Sequence, residues 1–503
     1  MKKEKIVIIG SGLGGLLSAA LLSKNGYNVC VIEKNPVFGG NLQSFRRDGV
    51  TFDTGMHFFG SIDKGQFLYR LYKYLDIYGS LRLKQLDKDA FSIINYNGKE
   101  YPFAQGFENF VEKLQPYFPG EERNIVRFIE KIKSIGAIEN LFNLVNRDKE
   151  PSEQGDFFAR TIKLLGENTW TFIQTLTHDE RLRNVLSGLN ILTSGTRDDS
   201  NMYSLGMTYF THIESSWRFV GGSDQLVRAF LQKIREAGGT VHNNTKATAF
   251  ILDDHKKIKY VQTNQGNIEG DIFISNVHPQ LTIRMLPEKA LRKVYINRLN
   301  SLKNSFSTFS LYVVLKKQKV RYLNHNYFDL LSSEVWYDPS SEEWPQEYMY
   351  STLLSDEEDP FTEGITMVSP IKYDLFRKWE STVIEKRGKE YLELKQSLAE
   401  KLLSMATERF PELKEAVEKY YAATPLTLRD YLDAPEGTTY GLVKSSKAPL
   451  LSMVLPKTQI ANLFMTGQSI NMHGMLGVAI GSLLTVSYIL DLKKVLKSMG
   501  DVV

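Results

Sequence analysis

The chain has 503 residues, 42% hydrophobic and 24% charged, and a formal net charge of +4. That length exceeds what one hydrophobic core serves, so two or more domains are expected of an otherwise ordinary soluble composition. The charge is spread without a long basic run, which gives no sign of a nucleic-acid partner. A lone Cys30 and eight scattered histidines leave no disulfide and no metal-ligand spacing.

Lysines followed by an apolar run at the start have the outline of a secretory leader. Glu4 interrupts the charged part, however, and the glycines that follow have another use, so the segment is read as mature and the protein as cytoplasmic. Residues 5–9 (KIVII) are continuously apolar and β-branched, the pattern of a strand buried on both faces of a parallel sheet. Gly10, Gly12 and Gly15 then satisfy G-x-G-x-x-G, with Leu13 and Gly14 between them, and residues 16–24 read as a helix closed by Asn25-Gly26. A second apolar strand over 28–32 ends at Glu33, 23 positions after Gly10. The expected spacing to an acid that binds adenosine ribose hydroxyls is about 20.

Each residue type has a physical task in such a turn. Gly10 permits the tight bend, Gly12 lets a pyrophosphate approach the backbone, and Gly15 lets the helix pack closely on the strand. The helix N-terminus offers unpaired N–H groups and the positive end of its dipole. A carboxylate at position 33 would repel a 2′-phosphate, so an unphosphorylated adenosine ribose is expected.

The following residues separate FAD from NAD. Gly39-Gly40 come soon after the acid, and an F-D-x-G turn spans 52–55. Residues 33–60 resemble the flavoprotein superfamily of amine oxidases and phytoene desaturases, in which this stretch wraps the FAD diphosphate. Asn41 stands where amine oxidases usually have arginine. Asp53-Thr54-Gly55-Met56-His57 looks like the D-T-G-x-H of the retinol 13,14-saturase group, and residues 462–477 look like that group's T-G-Q segment, with Gln468 in the motif. Residues 424–441 resemble its TPLT…YG segment.

The resemblance implies an α/β fold: a Rossmann-like FAD-binding domain (1–75, 216–300 and 431–503) with an inserted α+β substrate domain (76–215 and 301–430). It assigns Lys34, Gly39, Gly40, Asn41, Asp53, Gly55 and Met56 to the cofactor, with Ala247 at the adenine and Asn276 beneath the dinucleotide. Gly467, Gln468, Gly474, Met475 and Leu476 belong at the flavin end, where a glycine-rich helix entry also presents backbone N–H groups. The apolar run over 475–490 is 16 residues, short of the roughly 20 a bilayer needs, and is read as a buried helix.

Elsewhere, residues 224–237 read as a helix, 240–251 as a strand, 257–263 with 267–274 as an antiparallel pair, and 307–315 as a strand walling a cavity. The acids in 342–359 read as a solvated loop, and lysines in 491–499 leave room for peripheral contact with the inner face of a membrane. The implied chemistry is redox at C=C bonds of a hydrophobic polyene or isoprenoid. Saturation is favoured over desaturation, isomerisation or amine oxidation, with a flavin-binding protein lacking activity as the alternative from another class. His57 and His473 are the candidate proton donors, with Tyr440 behind them. A single dinucleotide fingerprint leaves the electron donor open, between NAD(P)H bound transiently and a partner protein.

Overall fold

The structure, a computed structural model, describes residues 4–136, 162–333 and 335–501. Five short strands, β1 (Lys5–Ile9), β2 (Asn28–Ile32), β3 (Thr240–His242), β4 (Ile272–Ser275) and β5 (Leu463–Met465), form a wholly parallel sheet in the order β3-β2-β1-β4-β5. The apolar run of β1 suits its position: Ile6 and Ile8 enter one core and Val7 and Ile9 another. The first core includes helices α1 (Leu13–Lys24) and α2 (Gly474–Val486), and the second a three-stranded antiparallel sheet over Ala247–Leu252, Ile258–Thr263 and Gly266–Glu269.

Helix α1 begins at Leu13, three residues before the expected start, because the glycine turn itself enters the helix. Gly15 sets how closely α1 lies on β1. A Cβ there would stand 2.0 Å from the Gly10 carbonyl oxygen.

A seven-stranded sheet runs in the order Val417–Ala423, Ser307–Leu315, Gly364–Ile371, Glu347–Thr352, Asn326–Leu330, Ser92–Tyr96, Lys99–Phe103. Its pairs are antiparallel except that of Asn326–Leu330 with Ser92–Tyr96. All these strands come from the two segments expected for the substrate domain, and Ser307–Leu315 has the expected bounds.

Three expectations give way. Residues 240–251 are two strands in different sheets, separated where Asn244 takes a positive φ of 50° and the chain leaves the parallel sheet. The antiparallel partner of Ile258–Thr263 stops at Glu269, since the chain then turns at Gly270 against Val7 and enters the parallel sheet as β4. The acidic stretch 342–359 is not all loop: Glu347–Thr352 is a wholly buried central strand. Its tyrosines and methionine carry the β-signal that the flanking acids hide.

The apolar positions of the last helix, Leu492, Val495 and Met499, are buried in the main core, and the helix lies against the one at Phe67–Tyr74. Its exposed side is therefore charged rather than apolar. Among the described residues no helix is long and apolar enough to cross a membrane.

Candidate functional site

One cavity of about 730 Å³ lies between the carboxyl ends of the parallel strands and one face of the seven-stranded sheet. Ile9, Ile32, Asn276 and Thr466 line it from the first, and Thr308, Ser310, Met349 and Val368 from the second. Carboxyl ends of parallel strands are where open α/β sheets leave a crevice for ligands.

At one end are Gly10, Gly12, Leu13, Gly14, Glu33, Lys34, Gly40, Asn41, Gly55, Met56 and Ala247. The Ser11 amide and hydroxyl donate to Glu33 Oε2 at 3.0 and 2.7 Å, and the Asn35 amide donates to Oε1 at 2.9 Å. Ser11 was not singled out in the sequence, yet it fixes the acid and also accepts from the Gly39 amide at 3.0 Å. Lys34 pairs with Asp433 at 2.9 Å.

Gly15, Gly39 and Asp53, grouped above with the cofactor contacts, are not among the residues lining this cavity. Gly15 faces Gly10 from behind the turn, and Gly39 braces Ser11. Asp53 accepts from the Ser44 hydroxyl and from the Ser223 amide and hydroxyl at 2.7 to 2.8 Å, tying the D-T-G turn to the helix at Asp224–Glu236.

At the other end are Gly467, Gln468, His473, Gly474, Met475 and Leu476. Gly467 has φ +99°, and a Cβ on it would meet Asn276 Oδ1 at 2.5 Å, so Asn276 packs the T-G-Q loop directly beside the first glycine turn. Both α1 and α2 point their N-termini at the cavity, and neither has a side-chain cap or an acid in its first turn. Helix N-termini left in this state carry unsatisfied N–H donors. The residues fit FAD: α1 could hold the pyrophosphate, Glu33 the ribose, Ala247 the adenine and α2 the polar edge of the flavin. Removing the acid tests the first half of this arrangement. Glu33→Ala should weaken FAD binding by about 1.5–3 kcal/mol, roughly tenfold to a hundredfold, in a reconstitution titration of the apoprotein. Unchanged affinity would exclude Glu33 as a contact.

Beyond the T-G-Q loop the wall is apolar, with Ile191, Leu192, Met207, Met349, Val368 and Met472. The turn Asn190–Leu192 organises it. Tyr440 donates its hydroxyl to Ile191 O at 2.9 Å, the His473 ring meets Leu192 O through Nε2 at 2.7 Å, and the Asn190 amide donates to Glu347 Oε2 at 2.9 Å. The Tyr440 and His473 rings lie 4.2 Å apart. Asn190 and Glu347 carried no sequence signal, because they come from segments that share no motif with the glycine turns.

His57 lines the cavity, and neither ring nitrogen bonds another described residue. Burial, with the Arg218 guanidinium adding to it, holds its pKa down at about 4. Burial lowers His473 to about 4 as well, despite its bond to Leu192 O. Both imidazoles are therefore neutral at pH 7. Desolvation removes the charge from both, and the Leu192 carbonyl takes the Nε2 proton of His473.

The model of flavin-containing amine oxidoreductases matches residues 13–482. The chain belongs to that family. Relatives within reach of this flavoprotein include the all-trans-retinol 13,14-reductase of Homo sapiens, 28% identical over 97% of this chain and 86% of that protein. The Danio rerio protein of the same name is 25% identical over 96% and 86%. Among solved structures, an oxidoreductase from Methanosarcina mazei superposes with a TM-score of 0.63 at 16% identity, covering 95% of this chain and 99% of that one, which shows the shared fold.

Proposed function

We propose that this protein is an FAD-dependent oxidoreductase that saturates a C=C bond of a hydrophobic polyene of the retinoid or carotenoid class. The observation that carries the reading is the continuity of the cavity, which runs from the nucleotide-type cradle at Glu33 past the T-G-Q loop into a wall of aliphatic and methionine side chains. A cavity of that lining suits a long apolar ligand. Similarity to proteins named as retinol reductases supports saturation as the direction.

FAD bound there supplies hydride transfer to or from carbon. The chain's own residues do the rest. Glu33 and the α1 N-terminus bind the nucleotide, α2 orients the flavin end, and the apolar wall excludes water from the substrate. His57, neutral and without a hydrogen-bond partner among the described residues, hydrogen-bonds what occupies the cavity. A proton must also reach carbon, and Tyr440 and His473, which line the cavity and hydrogen-bond the Asn190–Leu192 turn, carry it in this reading.

A nicotinamide donor, in this reading, reduces the protein by transient contact, since the glycine-rich turn is given over to FAD. The exposed lysines of the terminal helix meet anionic headgroups by charge alone. Anaerobic mixing of the reduced protein with a panel of polyenes tests the proposal. Re-oxidation of the flavin with loss of one double bond from the product is the expected result; a panel that leaves the flavin reduced would sink it.

A further inference from the structure

Four large apolar side chains stand clear of the surface in two segments far apart in sequence. Val294 is 81% exposed, Leu450 58%, Leu451 60% and Leu455 57%. The two segments make one face. The helix Lys293–Ser301 and the stretch 451–460 turn Leu299, Val454 and Ile460 into the same core. Arg298 closes the seam between them, donating from Nη1 to the carbonyl oxygens of Leu451 and Met453 at 3.0 and 2.8 Å. The Arg292 amide donates to Gln459 Oε1 at 2.9 Å. Val294 lies four residues before Arg298, so it shares the side of the helix that meets this stretch. Along 451–460, buried residues alternate with outward ones, which include Leu451, Leu455 and Lys457.

The charge on this face has one sign. Residues 289–303 and 443–457 contain eight bases and no acid, and of the eight only Lys444 is buried. Glu288 precedes the first segment, Asp198 pairs with Lys447 at 3.0 Å, and Asp199 lies 3.9 Å from Lys303. Arg292, Lys293 and Lys457 have no acid within ion-pair distance among the described residues. None of the four exposed apolar side chains lines the cavity described above.

Exposed apolar side chains among cations narrow the choice of partner. A second copy of this chain would set like charge against like charge, which opposes pairing through this face. A fluid bilayer with anionic headgroups moulds around side chains that stand clear of the surface and satisfies both features. We propose that this face docks on an anionic lipid bilayer, with Val294, Leu450, Leu451 and Leu455 entering the boundary between headgroups and acyl chains. Arg292, Lys293 and Lys457 then lie on the headgroups. The terminal helix, whose apolar positions are buried, lacks the first of these contacts. The inference does not depend on the polyene-saturating reading.

The face is also tied to the cavity. The helix Pro279–Arg284 contributes Pro279, Leu281 and Arg284 to the cavity lining. Its Gln280 donates from Nε2 to Leu299 O and Leu302 O at 3.0 and 3.1 Å, which packs it on the helix Lys293–Ser301. Lys444, from the second segment, donates its ammonium to Ser469 O beside Gln468 of the T-G-Q loop. Docking therefore sets the bilayer one helix behind the cavity wall.

Co-sedimentation of the full, FAD-loaded chain with vesicles of phosphatidylcholine, with and without about one-third phosphatidylserine, tests the proposal. The wild type should bind the anionic vesicles at least tenfold more tightly than the neutral ones, and less tightly as salt rises. The double variant Leu451→Ser, Leu455→Ser should keep its melting temperature and flavin, yet bind at least tenfold more weakly. Arg292→Gln with Lys457→Gln should weaken binding about twentyfold. An environment-sensitive dye on Leu451→Cys should brighten when anionic vesicles are added, native Cys30 being buried. A wild type that ignores anionic vesicles would overturn the proposal. So would leucine variants that bind as the wild type does, with Lys493→Gln and Lys497→Gln abolishing binding instead. A face that proves to join two copies, shown by loss of a wild-type dimer in the leucine variant without any vesicle binding, would overturn it too.

Discussion

Gly15→Ala should yield a colourless, poorly folding protein. On propensity alone the change favours the helix by up to about 1 kcal/mol, because alanine is the better helix former. The steric term opposes it and is larger. The new methyl would lie 2.0 Å from the Gly10 carbonyl oxygen and 3.2 Å from its carbon, and both belong to the backbone of the glycine turn. No side chain can rotate away, so α1 must lift from β1. That disturbs the strand at the centre of the five-stranded sheet and aims the helix N-terminus away from the cavity. Overpacking of this kind costs about 3 kcal/mol or more. Denaturant melts and the visible spectrum of the purified variant check it; wild-type stability with a full complement of flavin would refute the argument.

Acidification should destabilise the protein between pH 6.5 and about 4. Burial holds His57, His278 and His473 at about 4 and His212 at about 3, each below the ordinary 6.5. A group whose folded pKa is depressed contributes stability that is present above its unfolded pKa and lost as pH falls toward the folded one. Glu214 and Glu347, both raised by burial to about 7, act in the opposite sense, since their contribution is lost as pH rises. Burial lowers His325 too and raises Asp53 and Asp63, so five histidines stand against four acids and the histidine sense prevails. Chemical denaturation at fixed ionic strength should show the midpoint dropping between pH 6.5 and pH 5. His212→Phe, which removes one buried ring from the balance, should flatten the slope, and a level profile in the wild type would contradict the assignment.

The glycine turn, the acid at position 33, the D-T-G-x-H stretch and the T-G-Q stretch could be read from the sequence because each is local. A strand, a tight turn, a helix entry and a carboxylate at a set distance are properties of neighbouring residues, and the family match over 13–482 agrees with that reading. Even so, local reading could not separate residues that touch the cavity from those behind it. Gly39 and Asp53 lie in the same segments as true lining residues, and only packing against Ser11 and Ser223 tells them apart.

The far end of the site was illegible for a different reason. Glu347 sits in an acidic stretch that reads as solvated, yet pairing with strands on both sides buries it at the centre of a sheet. Burial then reverses its chemistry, from a carboxylate on a surface to an acid that keeps its proton near neutrality. The same desolvation strips the charge from His57 and His473, which the sequence presents only as histidines near glycines. Sequence by itself determined the nucleotide end, because recognition there uses backbone turns written in consecutive residues. Tertiary structure decided which group can carry a proton, because ionisation depends on what surrounds a side chain, and those surroundings come from residues hundreds of positions apart.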